Sequence, residues 1–140
     1  MNYRMQDDGL WFLSQVLIGG GGTINGMYLE YTGSGDITVG PRDTEYYRTL
    51  DSLSQSGYLR IRGVRGYVDK DCRMHFDALL TGEEIPEMAD GMTASCVTLV
   101  SMQDDCREHD RIICTMKLSS PVVLRKDAMT TIHTSMKLGA

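Results

Sequence analysis

The chain of 140 residues is long enough for one domain with a full core and too short for two. Its 41% hydrophobic and 24% charged residues mark it as globular rather than disordered. A net charge of −5 without a long basic run excludes a protein built mainly to grip nucleic acid, and no apolar run approaches the ~18–20 residues of a membrane-spanning helix.

Residues 1–25 are expected to form an N-terminal helix and a glycine hinge, a possible arm, and residues 26–140 a β-sandwich domain. In DDGLWFLSQVLIGG, Leu10, Leu13 and Leu17 fall at helical spacing, with Phe12 and Val16 widening the stripe. Asp7 or Asp8 caps the start and Gly19 suits the stop. A strand is the rival reading, since Trp11, Phe12, Val16 and Ile18 favour sheets. The glycines at 19–22 do not form a phosphate loop. They follow the expected helix, a strand comes next, and no Lys-Ser or Lys-Thr follows. Two Asp ahead of the apolar run also differ from a secretory leader, so synthesis in a reducing cytoplasm is expected.

Beyond the glycines the hydrophobic period changes to two. Met27, Leu29 and Tyr31 share a face, as do Leu59 and Ile61. In 72–80, Cys72, Met74, Phe76, Ala78 and Leu80 point one way, and Arg73, His75 and Asp77 the other. The stretch 94–102 is apolar on both faces and suits a central strand. Ile112, Cys114, Met116 and Leu118 are expected inward with Arg111, Thr115 and Lys117 outward; Ile132, Thr134, Met136 and Leu138 repeat the scheme. Loops are expected at 32–36, 82–91 and 103–110, a surface loop with one helical turn near 46–50, and a separate short strand within 119–130. This pattern specifies an all-β antiparallel fold, a β-sandwich or barrel with one short N-terminal helix, the sandwich being the expectation taken forward.

No cysteine pair forms CxxC; Cys72, Cys96 and Cys114 lie in strand-like runs and Cys106 in a loop, so no disulfide framework is expected. The loop QDDCREHD offers Asp104, Asp105, Cys106, Glu108, His109 and Asp110, but its spacing matches neither a structural zinc nor a calcium loop, and it reads as a polar hairpin. His75 and His133 fall on outward strand faces and His109 in the loop. There is no GxSxG elbow and no HExxH. Glu83, Glu84 and Glu87 lie in a loop with nothing to fix a catalytic spacing. Arg60, Arg62 and Arg65 form the one basic knot and read as a solvated strand face. Catalytic residues, metal ligands and cofactors are therefore all expected to be none.

The opening DDGLWFLSQVLIGGGGTINGMYLEY and the layout of YYRTLDSLSQSGYLRIRGV, MHFDALLTGEE and ASCVTLVSMQDDCREHDRIICTMKL resemble small accessory structural proteins of tailed bacteriophage virions. That resemblance covers most of the chain and implies a body of β-sandwich or jelly-roll type. It implies a non-enzymatic head-decoration or tail component that binds copies of itself and other virion proteins, with no nucleic-acid or membrane partner. The location implied is the virion, after synthesis in the host cytoplasm. The interface candidates are Leu10, Trp11, Phe12 and Leu13 on the arm, and Tyr46, Tyr47 and Tyr58. The first alternative is a carbohydrate- or receptor-binding module of a tail fibre, which would show an exposed platform of several tyrosines among Tyr28, Tyr46, Tyr47, Tyr58 and Tyr67. A third class is a small metal-dependent enzyme or hydrolase using the 104–110 loop.

Overall fold

The structure is a computed structural model and describes residues 3–5, 9, 23–32, 48–54 and 57–137. Eight strands and one short α-helix lie among the described residues: β1 (Tyr3–Met5), β2 (Gly26–Thr32), α1 (Leu50–Leu53), β3 (Tyr58–Arg62), β4 (Arg65–Val68), β5 (Met74–Leu80), β6 (Thr93–Ser101), β7 (Arg111–Val123) and β8 (Thr130–Met136). They form a five-stranded sheet in the order β1-β7-β6-β2-β3 and a three-stranded sheet in the order β4-β5-β8. Every pairing is antiparallel, so the all-β expectation holds. The expected helix over 7–20 and its hinge lie outside the described residues, Gly9 aside.

The inner faces are those that alternation names. Met27, Leu29, Val97, Leu99 and Met116 of the large sheet meet Phe76, Ala78, Leu80, Ile132 and Met136 of the small one. β6 is central, between β7 and β2, and nearly all of it is buried. The outer face of the large sheet is also covered. Tyr28, Val100 and Ile112 pack there against Leu53 of α1, with Leu50, Tyr58 and Met102 beside them. Helix α1 starts at Thr49, whose Oγ1 accepts from Ser52 N while Ser52 Oγ accepts from Thr49 N. Burying Leu53 completely contributes ~2 kcal/mol.

Four local expectations are corrected. The helical turn lies at Leu50–Leu53, overlapping the expected 46–50 only at Leu50, where the reciprocal Thr49–Ser52 cap starts it. The separate strand within 119–130 is the end of β7, which runs unbroken to Val123. Its pairing jumps from Cys96↔Lys117 to Ala94↔Val122, and Pro121, which has no N–H to donate, sits in that irregular stretch. A bulge between Leu99↔Cys114 and Val100↔Ile112 turns Ile113 onto the face of Cys114 and sends Ile112 to the other side. Cys72 is not in a strand; it sits exposed in the β4–β5 turn with φ 63°.

Candidate functional site

The outer face of the small sheet carries a linear polar array. Alternation aims His75, Asp77 and Leu79 of β5 outward, and pairing sets Tyr67 and Arg65 of β4 on one side and Thr131, His133 and Ser135 of β8 on the other. His75 faces Ser135 and Asp77 faces His133 across the pair. His75 Nδ1 and His133 Nε2 approach to 3.4 Å. The other nitrogen of each ring meets a carboxylate: His75 Nε2 lies 2.7 Å from Asp69 Oδ2, and His133 Nδ1 is bonded to Asp77 Oδ1. The sequence of contacts is Asp69, His75, His133, Asp77.

Local structure fixes each member. Asp69 Oδ1 accepts the backbone N–H groups of Asp71 (2.8 Å) and Arg73 (3.1 Å), which folds the β4–β5 turn and leaves Oδ2 for His75. The hydrogen bond to His75, with those two backbone donors, lowers the Asp69 pKa from the ordinary value. The Tyr67 ring stacks on His75, centroids 4.7 Å apart and planes within 7°. Arg73 donates to Ser135 Oγ at 3.4 Å at the same end of the array.

The loop 103–110 separates into three parts. Asp104, Cys106 and His109 bring one donor atom each within 4.8 Å of one another, all exposed. Asp104 is already engaged at both oxygens, Oδ1 accepting from Cys106 N at 2.8 Å and Oδ2 meeting His109 Nδ1 at 2.7 Å. That hydrogen bond lowers the Asp104 pKa and raises that of His109. A metal there would first have to break this closed set. Asp105 pairs with Arg62, and Glu108 is exposed. Asp110 turns inward, where Arg60 grips it at 2.6 and 2.8 Å and Tyr28 donates its hydroxyl at 2.6 Å. Burial, then the bond to Asp110, pushes the Tyr28 phenol up to about 12. Two arginines of the basic knot are thus committed to carboxylates of the chain itself.

A second buried pair joins Arg48 to Glu30 at 3.2 and 3.3 Å, and the Tyr58 hydroxyl also bonds Glu30. Tyr58 is therefore half-buried and turned into the outer cluster rather than presented as a free anchor. Leu10, Trp11, Phe12, Leu13, Tyr46 and Tyr47 lie outside the described residues. Tyr28 and Tyr31 are buried, so Tyr67 is the exposed tyrosine side chain among those described. Glu83, Glu84 and Glu87 lie in two 3₁₀ turns, and Glu84 caps its own turn through Thr81. A depression of about 270 Å³, open to solvent, lies between Asn25, Arg62, Met102 and Asp104.

Alternation alone places His75, Asp77 and His133 on outward faces. It misses Asp69, which the β4–β5 turn brings to His75, and the meeting of the two rings, which depends on β5 pairing with the distant β8. Comparison with protein-family models, curated proteins and solved structures found no match to this chain.

Proposed function

We propose that this chain is a non-enzymatic structural protein of a tailed-phage particle, a head-decoration or tail component that works by burying surface against copies of itself or other virion proteins. The observation that carries the reading is the outer side of the small sheet. Tyr67 is 50% and Leu79 55% exposed there, Val68 at the end of β4 is 65% exposed on the opposite face, and β4 is an edge strand exposed at every residue. Large apolar side chains beside an open strand edge favour contact with another protein surface. The jelly-roll type is the finer part of this proposal; supporting it are the three connections, β3–β4, β5–β6 and β7–β8, that pass from one sheet to the other.

The test is the solution mass of the purified chain over a concentration series, by size exclusion with light scattering, for the wild type and for Leu79→Glu with Tyr67→Ser. Association that the double variant abolishes supports the contact face. A mass indifferent to these changes refutes it. Mass spectrometry of purified particles from an infected culture producing the chain tests the virion assignment; its absence from particles overturns that assignment.

A further inference from the structure

The array Asp69, His75, His133, Asp77 contains three polar contacts, each needing one proton or cation between two lone pairs. Two neutral imidazoles supply two N–H protons. If both are donated outward to the ionised carboxylates, His75 Nδ1 and His133 Nε2 face each other as bare acceptors. If one is turned inward, a carboxylate is left facing a bare nitrogen. Either choice of tautomers leaves one of the three contacts without a hydrogen in it.

The geometry of the gap fits a metal ion. Two nitrogens bound to one tetrahedral zinc at about 2.05 Å stand about 3.3 Å apart, and the facing nitrogens here are 3.4 Å apart. Each ring gives its second nitrogen to a carboxylate, the outer-shell arrangement that orients a histidine ligand and raises its basicity. Stacking by Tyr67 holds the His75 plane. Imidazole donors select zinc, copper or nickel over magnesium or calcium.

We propose that His75 Nδ1 and His133 Nε2 chelate one divalent transition-metal ion, zinc foremost, with Asp69 and Asp77 as its outer-shell carboxylates. The remaining coordination positions face outward from the sheet, where waters complete them. This inference does not rest on the virion reading.

The test is calorimetric titration of the chelator-treated full chain with zinc chloride near neutral pH, alongside ¹H–¹⁵N spectra of the histidine side chains. One equivalent of zinc is expected to bind, shifting His75 Nδ1 and His133 Nε2 and leaving His109 unmoved. His75→Ala and His133→Ala should each lower affinity at least tenfold, and Asp77→Asn by 10–100-fold. Calcium and magnesium should give no saturable heat. All these side chains lie on the solvent side of the sheet, so circular dichroism should show the variants folded; if His75→Ala fails to fold, the tautomer-specific shifts in the wild type decide. Absence of zinc binding, with a proton alone shared between the rings, overturns the proposal. So does binding that survives His75→Ala and His133→Ala but is lost in His109→Ala, which would move the ion to the loop.

Discussion

Replacing Asp110 by Ala tests the buried polar cluster on the outer face of the large sheet. The Asp110 side chain is 0% exposed and Arg60 10%, and two hydrogen bonds join them. Removing one partner of such a pair costs about 3–5 kcal/mol, because the other charge stays in a dry site. The Tyr28 hydroxyl loses its acceptor as well and has no route to water, a penalty of about 1–3 kcal/mol. These losses overlap, and Arg60 keeps a bond to the Asp104 carbonyl at 3.3 Å, so about 4 kcal/mol in total is expected. With unfolding entropy near 2.1 cal/mol/K per residue, 140 residues give roughly 0.3 kcal/mol/K. The midpoint should therefore fall by roughly 10–15 °C. Urea and thermal unfolding followed by circular dichroism measure it, with Arg60→Met and the Arg60→Met/Asp110→Ala double variant completing a cycle. The double variant should recover the part of the loss due to the stranded charge, while the Tyr28 hydroxyl stays without its acceptor. The reasoning fails if Asp110→Ala costs less than about 1 kcal/mol, or if the double variant costs the sum of the singles.

Because the Tyr28 phenol is raised above its unfolded value of 10, its contribution to stability is complete below pH 10 and fades as pH climbs through about 12. Absorbance titration of tyrosinate should show late-titrating phenols, of which Tyr28→Phe removes the one near pH 12 while Tyr58, raised by burial and its bond to Glu30, remains. Gly82→Ala would set a Cβ 1.9 Å from the Lys126 carbonyl oxygen, a backbone atom, and should destabilise by about 1–3 kcal/mol in urea unfolding; an unchanged midpoint would show that the loops part freely. Burial pushes the Cys114 thiol up to about 12, so it and buried Cys96 should react with a disulfide reagent only as fast as the protein opens, whereas Cys72 and Cys106 should react at once. Cys72 holds a left-handed backbone at φ 63°, and Cys72→Gly should raise stability by up to about 1 kcal/mol in the same unfolding assay.

Strands whose pattern stays in step with the pleat were legible. Ile132, Thr134 and Met136 point inward in β8 as their spacing implies, and so do Phe76, Ala78 and Leu80 in β5. β4 was not legible, because Arg-Gly-Tyr-Val has a glycine inside it and no buried face. Tyr28, Glu30 and Thr115 look like solvent-facing positions in an alternating strand, yet α1 covers Tyr28, Arg48 pairs with Glu30, and Thr115 is buried with its hydroxyl bonded to Thr98. Asp110 hides likewise in a run of exposed acids. Its burial follows from the inward turn at the end of the loop, which charge pattern does not record. The histidine array needed the long-range register that sets Asp77 opposite His133.

The pairing of Tyr3 with Met116 has a consequence for how the chain is made. β1 must wait for β7, made some 113 residues later (Tyr3 to Met116), before it can join the sheet. β2 finds β3 early, but its other partner, β6, is synthesised some seventy residues later. The nascent chain therefore carries an unfinished edge until β6 and β7 are made. Conditions that slow elongation between β3 and β6, or shorten access to chaperones, should lower the soluble yield more than they alter the finished protein's stability.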